Sequence, residues 1–84
     1  MKFKIKYISK KLPGGYIGMN AESYFKIYGK KYPYAKNVIL VLKGMSEDLT
    51  ESTIQHEKIE YELINRENMS YHKAHIISNS LEEV

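Results

Sequence analysis

The chain has 84 residues, enough for one compact core and too few for a second. A hydrophobic share of 43% beside 27% charged residues excludes a disordered composition, and the absence of cysteine excludes disulfides and thiolate zinc sites, so any metal must be held by His, Glu or Asp. The net charge of +3 is unevenly divided: residues 1–43 hold ten lysines against one acid, Glu22, a formal +9, whereas residues 44–84 hold Lys58, Arg66 and Lys73 against nine acids, a formal −6.

The first segment, KFKIKYI, alternates lysine with Phe3, Ile5 and Tyr7, the period of a half-buried strand with those three on one face. The same lysines leave no apolar core of signal-peptide length, and the longest aliphatic run, VILVL, is far too short to span a bilayer, which predicts a cytoplasmic protein without a membrane anchor. Pro13, Gly14 and Gly15 mark a turn; no G-x-x-x-x-G-K-[ST] pattern makes it a phosphate loop. A second strand is expected over residues 16–19, then a turn at NAE. SYFKIYGK alternates again, with Tyr24, Lys26 and Tyr28 opposed to Phe25 and Ile27, and predicts a third strand. KKYPYAKN, with Pro33, reads as a loop. VILVL, residues 38–42, is continuously apolar and rich in β-branched side chains, as expected of a central strand; Gly44 ends it.

The period then changes. Residues 46–67 are rich in helix formers and lack Gly and Pro, with Thr50 or Ser52 as the expected cap, Glu51 near the positive end of the dipole, and a stripe of Ile54, Ile59, Tyr61, Leu63 and Ile64. NRENM breaks this helix. Ser70 is placed to cap a second one over residues 71–83, with Tyr71, Ala74, Ile77, Ser78 and Leu81 on one side. No internal repeat occurs. The expected class is α+β in a single domain, residues 1–84. A small antiparallel or mixed sheet of three to four strands fills the basic half (1–44), and an acidic antiparallel helical hairpin follows (45–84).

One constellation carries chemistry. His56 and Glu60 are four residues apart, hence neighbours on one helical face, a spacing that lets two side chains grip one metal ion. Glu57 would then occupy the general-base position of the H-E-x-x-H signature, with Glu in place of the second His. A turn centred between Glu67 and Asn68 brings His75 level with Glu60, so a His56–Glu60–His75 triangle follows from counting outward along a hairpin. Ala74 and Ser78 are small and leave room beside His75. Glu82 could serve as an acceptor behind the ligands or as an alternative ligand. Tyr61 or Tyr71 could stabilise an oxyanion nearby. His72 reads as solvated. The same residues also admit a purely structural reading, in which His56 and His75 are core-edge histidines hydrogen-bonded to Glu60 or Glu57.

HEKIEYELI followed by MSYHKAHIISNSLEE resembles compact zincin-like proteins of archaea and phages, whose pattern is H-E-x-x-E and then a short G-x-x-Y-x-x-A-H segment. His56, Glu57 and Glu60 match the first part; Tyr71, Ala74 and His75 match the second. Asn68 stands where that family often has Gly, at a left-handed turn that Asn tolerates. The resemblance covers residues 37–83. It implies a zinc cofactor on His56, Glu60 and His75, Glu57 as catalytic base, and a peptide or protein substrate that pairs with the strand before the metal helix, here residues 38–42. So small a chain offers little material for a lower lip of the cleft, which implies a partner, a homodimer through the sheet edge or the helices, or a short unfolded peptide as substrate. A non-catalytic alternative is a binding module that takes nucleic acid on the lysine-rich half or docks a protein partner.

Overall fold

The computed structural model describes residues 2–82, with side chains through Ser80. Three strands, β1 (Lys4–Ile8), β2 (Gly18–Met19) and β3 (Val38–Leu42), and three helices, α1 (Ala21–Tyr28), α2 (Glu47–Glu67) and α3 (Tyr71–Glu82), make an α+β fold. The sheet is mixed, in the order β1-β3-β2. β3 pairs with β1 in parallel, Lys4 opposite Val38 through Ile8 opposite Leu42, and with β2 antiparallel, Met19 opposite Leu40.

β3 is central, as its unbroken apolar run requires: Ile39, Leu40 and Val41 are all buried. A parallel neighbour cannot be reached by a tight turn, so the chain between β1 and β3 must cross over, and β2 and α1 lie in that crossover. Gly14 and Gly15, both at positive φ, form the expected turn, closed by a bridge between Leu12 and Tyr16. Tyr7, expected on the apolar face with Phe3 and Ile5, is instead 55% exposed and borders a surface depression beside Gly44 and Thr50, while Ile8, the next residue, is the one packed against the core.

The segment SYFKIYGK is a helix and not a strand. Its ends decide the matter. Asn20 accepts a hydrogen bond from the Ser23 N–H (2.9 Å) as N-cap, and Gly29 ends the helix at φ 65°, its N–H donating to the Phe25 carbonyl. The apparent alternation also fits a helix, since Tyr24 and Tyr28, four apart, meet with ring centroids 4.7 Å apart. The NAE segment is therefore the cap and first turn of α1.

α2 spans 21 residues, about 31 Å at 1.5 Å per residue. It starts earlier than the expected caps: Ser46 accepts from the Leu49 N–H (3.2 Å), Glu47 and Asp48 face the positive end of the dipole, and Ser52 donates to the Leu49 carbonyl instead. Asn68 closes the helix in the left-handed region (φ 51°), with its N–H to the Leu63 carbonyl, and Ser70 accepts from the Lys73 N–H at the start of α3. α2 packs against α1, α3, β2 and β3. The core joins Met19, Ala21, Tyr32, Leu40 and Tyr61, with Phe3 edge-on to Tyr61 at 5.5 Å. Among the described residues no helix is long and apolar enough to cross a membrane.

Candidate metal site

The face that α2 turns inward is apolar only toward its C-terminal end, at Tyr61 and Ile64. Before them come Thr53, His56, Glu57 and Glu60, all buried. Burying carboxylates is costly unless each is hydrogen-bonded, so their partners explain why the fold tolerates them. Glu60, 1% exposed, is the hub. Its Oε2 lies 2.9 Å from His56 Nε2 and 3.0 Å from His75 Nδ1, and its Oε1 accepts from the Ser23 hydroxyl and from Asn20 Nδ2 (3.2 Å). Burial works to raise the Glu60 pKa, but the hydrogen bonds from His56, Ser23 and His75 together outweigh it and hold the carboxyl below its ordinary value.

His56, Glu60 and His75 thus converge, with one ligand atom from each lying within 4.8 Å of the others and the imidazole rings 4.8 Å apart. Zinc held at about 2.0–2.1 Å by nitrogen and oxygen sets neighbouring ligand atoms about 3.3 Å apart. The two histidine–carboxylate contacts need to open by only a few tenths of an ångström, whereas the two imidazole nitrogens, which set the 4.8 Å span, would have to close by more than an ångström. Because Oε1 is taken by Ser23 and Asn20, Glu60 turns a single oxygen toward the imidazoles, a donor set of two nitrogens and one oxygen that suits four-coordinate zinc with one position left over.

Glu57 lies beside this cluster. Its Oε1 accepts from Asn20 Nδ2 (2.8 Å), and its Oε2 is 4.0 Å from His56 Nε2. His56, Glu60, His75, Glu57 and Tyr71 all line a cleft of about 190 Å³, whose remaining wall includes Tyr16 and residues 17–19. Tyr71 stacks on the His75 ring (5.4 Å between centroids), with its hydroxyl 3.5 Å from Nδ1. Burial first, then the negative charge of Glu60 and the neighbouring Tyr16, raise its phenol pKa and keep it a neutral donor. The His75 side chain is 40% exposed, the point where the cluster meets solvent.

Other expected residues fall elsewhere. Tyr61 is buried in the core against Phe3 and does not line the cleft, so the oxyanion role considered for it has no geometric basis. His72 is exposed, as expected. The Glu82 side chain lies outside the described residues. The strand at 38–42 is central, paired with β1 along its length and with β2 at Leu40 and Val41, so it offers a substrate no full-length free edge; the strand that borders the cleft is β2, at the rim of the sheet. There Gly18 permits a close approach: a Cβ on it would stand 2.5 Å from Thr53 Cγ2 and 3.2 Å from Glu57 Oε2.

Asn20, bound to both carboxylates, and Ser23, bound to Glu60, are fully buried and have no counterpart among the expected site residues. A signal for them exists in the sequence. N-A-E-S places an N-cap residue three positions before a polar one, the spacing of a helix start. No family model matches the chain, and neither a curated protein nor a solved structure does.

Proposed function

We propose that the chain is a minimal zinc-dependent hydrolase of zincin-like type, acting on short unfolded peptides, with α2 and α3 forming the metal-bearing hairpin. The convergence of His56 Nε2, His75 Nδ1 and Glu60 Oε2 on an open cleft is the observation that carries this reading. Zinc at that point supplies Lewis acidity toward a carbonyl oxygen and lowers the pKa of a neighbouring water. Glu57, on the cleft wall, takes the proton of the attacking water and returns it to the leaving amine nitrogen. Tyr71, held protonated, is the donor suited to the developing oxyanion. An extended peptide would run along β2, whose backbone lines the same cleft.

A second reading draws on the completeness of the Glu60 network. Four donors already serve its two oxygens, so the cluster is a satisfied polar core without any cation. Elemental analysis of protein purified without chelator separates the two. The hydrolase reading expects about one zinc per chain, lost in His75→Ala; Glu57→Gln keeps the metal and loses peptide cleavage. Metal-free protein whose melting does not respond to added zinc leaves the structural reading alone standing.

A further inference from the structure

Phe25 is 58% exposed on the outer side of α1, and Tyr34, in the loop before β3, is 41% exposed. Both border a surface depression of about 280 Å³ that shares no residue with the His–Glu–His cleft. Tyr34 is fixed in place and not merely left in water. It meets Tyr32 edge-on, with centroids 5.6 Å apart, and Tyr32 is in turn anchored by its hydroxyl to the Val38 carbonyl (2.8 Å) and by the Tyr24 ring at 5.2 Å. Lys6 Nζ sits 5.4 Å from the centre of the Tyr34 ring, and Lys31 and Lys36 line the depression. Among the described residues none of these three lysines is ion-paired. All belong to the half of the chain with formal charge +9.

We propose that this groove binds single-stranded nucleic acid, with unpaired bases stacked on Phe25 and Tyr34 and phosphates held by Lys6, Lys31 and Lys36. Exposed rings offer a π-face to any base, and lysines beside them follow a phosphate backbone without reading sequence. The charge is complementary to a polyanion. Glu22, the one acid on the groove, lies on the first turn of α1 and repels phosphate, so the backbone runs along the lysine side. A duplex could engage the lysines but not the rings, because its paired bases are stacked on one another, so single strands should bind more tightly.

Fluorescence anisotropy with labelled dT12 and U12 tests this. Binding is expected at 50 mM salt, weakening about twentyfold by 200 mM, as release of counterions from three phosphates requires. Phe25→Ala or Tyr34→Ala should weaken it by about five- to hundredfold, Tyr34→Phe should restore it, and Lys73→Ala on α3 should leave it unchanged. Absence of binding at 50 mM salt overturns the proposal. So does equal weakening by Lys36→Ala and Lys73→Ala with none from Phe25→Ala, which is diffuse charge alone. Phe25-dependent binding to vesicles containing phosphatidylserine but not to the oligonucleotides assigns the groove to a membrane surface. Phe25-dependent self-association in sedimentation, without oligonucleotide binding, assigns it to a second copy of this chain. Both outcomes reject nucleic acid as the ligand.

Discussion

Replacing Ser23 with alanine tests the hub of the buried network at a residue with no ligand role of its own. The Ser23 hydroxyl donates to Glu60 Oε1, and both side chains are essentially removed from solvent. Glu60 is held in its ionised form at neutral pH by its low pKa, so the bond lost to it is one to a charged acceptor, about 1.5–3 kcal/mol, and the bond that Asn20 Nδ2 donates to the Ser23 hydroxyl (3.0 Å) is lost with it. Asn20 Nδ2 remains as a longer donor at 3.2 Å and offsets part of the loss, which places the expected destabilisation near 2 kcal/mol. For a domain of this size that lowers the melting temperature by about 8–16 °C. Differential scanning calorimetry at pH 7 measures it, with Ser80→Ala as comparator. Ser80 is exposed and donates only to the Ile76 carbonyl, so its removal should change stability by less than about 0.5 kcal/mol. Isothermal titration with zinc adds a second readout: loss of a group that orients a metal ligand typically costs about 10–100-fold in affinity. If Ser23→Ala melts within about 2 °C of the parent, the contact with Glu60 is not a desolvated, charge-assisted bond and the account of the hub fails.

Three further outcomes follow from the same geometry. Gly18→Ala places a methyl 2.5 Å from Thr53 Cγ2 and should cost about 1–3 kcal/mol in urea unfolding, with Thr53→Ser in the same chain recovering part of it by removing the clashing methyl. Because the folded-state pKa of Glu60 is depressed, its stabilising contribution is complete above the unfolded value of 4.5 and disappears as pH falls through the lower folded value; Glu60→Gln should flatten the dependence of urea midpoint on pH in that acid range. Tyr32 and Tyr71 have strongly raised pKa values, with burial as the leading cause, so alkaline titration at 295 nm should show these two tyrosines ionising only together with unfolding, a component that Tyr32→Phe and Tyr71→Phe each reduce.

Legibility in the sequence followed the range of the interactions involved. β3 announced itself by an apolar run that only a central strand accommodates, and the end of α2 by Asn68, whose left-handed conformation and the Ser70 cap are local chemistry. His56, Glu60 and His75 could be brought together by counting because helical period and turn position alone set their separation. α1 was not legible from period. Over eight residues, about two turns, Tyr24–Lys26–Tyr28 alternates as well as it repeats at four, and Tyr, Phe and Ile favour strands. Only the caps, Asn20 and Gly29, distinguished the two. That one misassignment hid Asn20 and Ser23, since their approach to Glu57 and Glu60 spans 37 to 40 residues and depends on the β1–β3 crossover.

The hub also governs how a cation would enter. Both imidazoles point a ring nitrogen at the same Glu60 oxygen, and each contact is a hydrogen bond only if that nitrogen carries a proton. A metal at that point needs lone pairs on the same two nitrogens. Zinc entry therefore requires both rings to shift their protons to the opposite nitrogen, and two satisfied hydrogen bonds are exchanged for coordination. His75, whose side chain is 40% exposed, can place its other N–H in water. Ser23 and Asn20 serve both states alike, because they hold Oε1 and so keep Oε2 directed at the imidazoles whether a proton or a cation lies between. Their removal should thus lower the stability of the metal-free chain and its zinc affinity together. A purely structural cluster would show the first effect without the second.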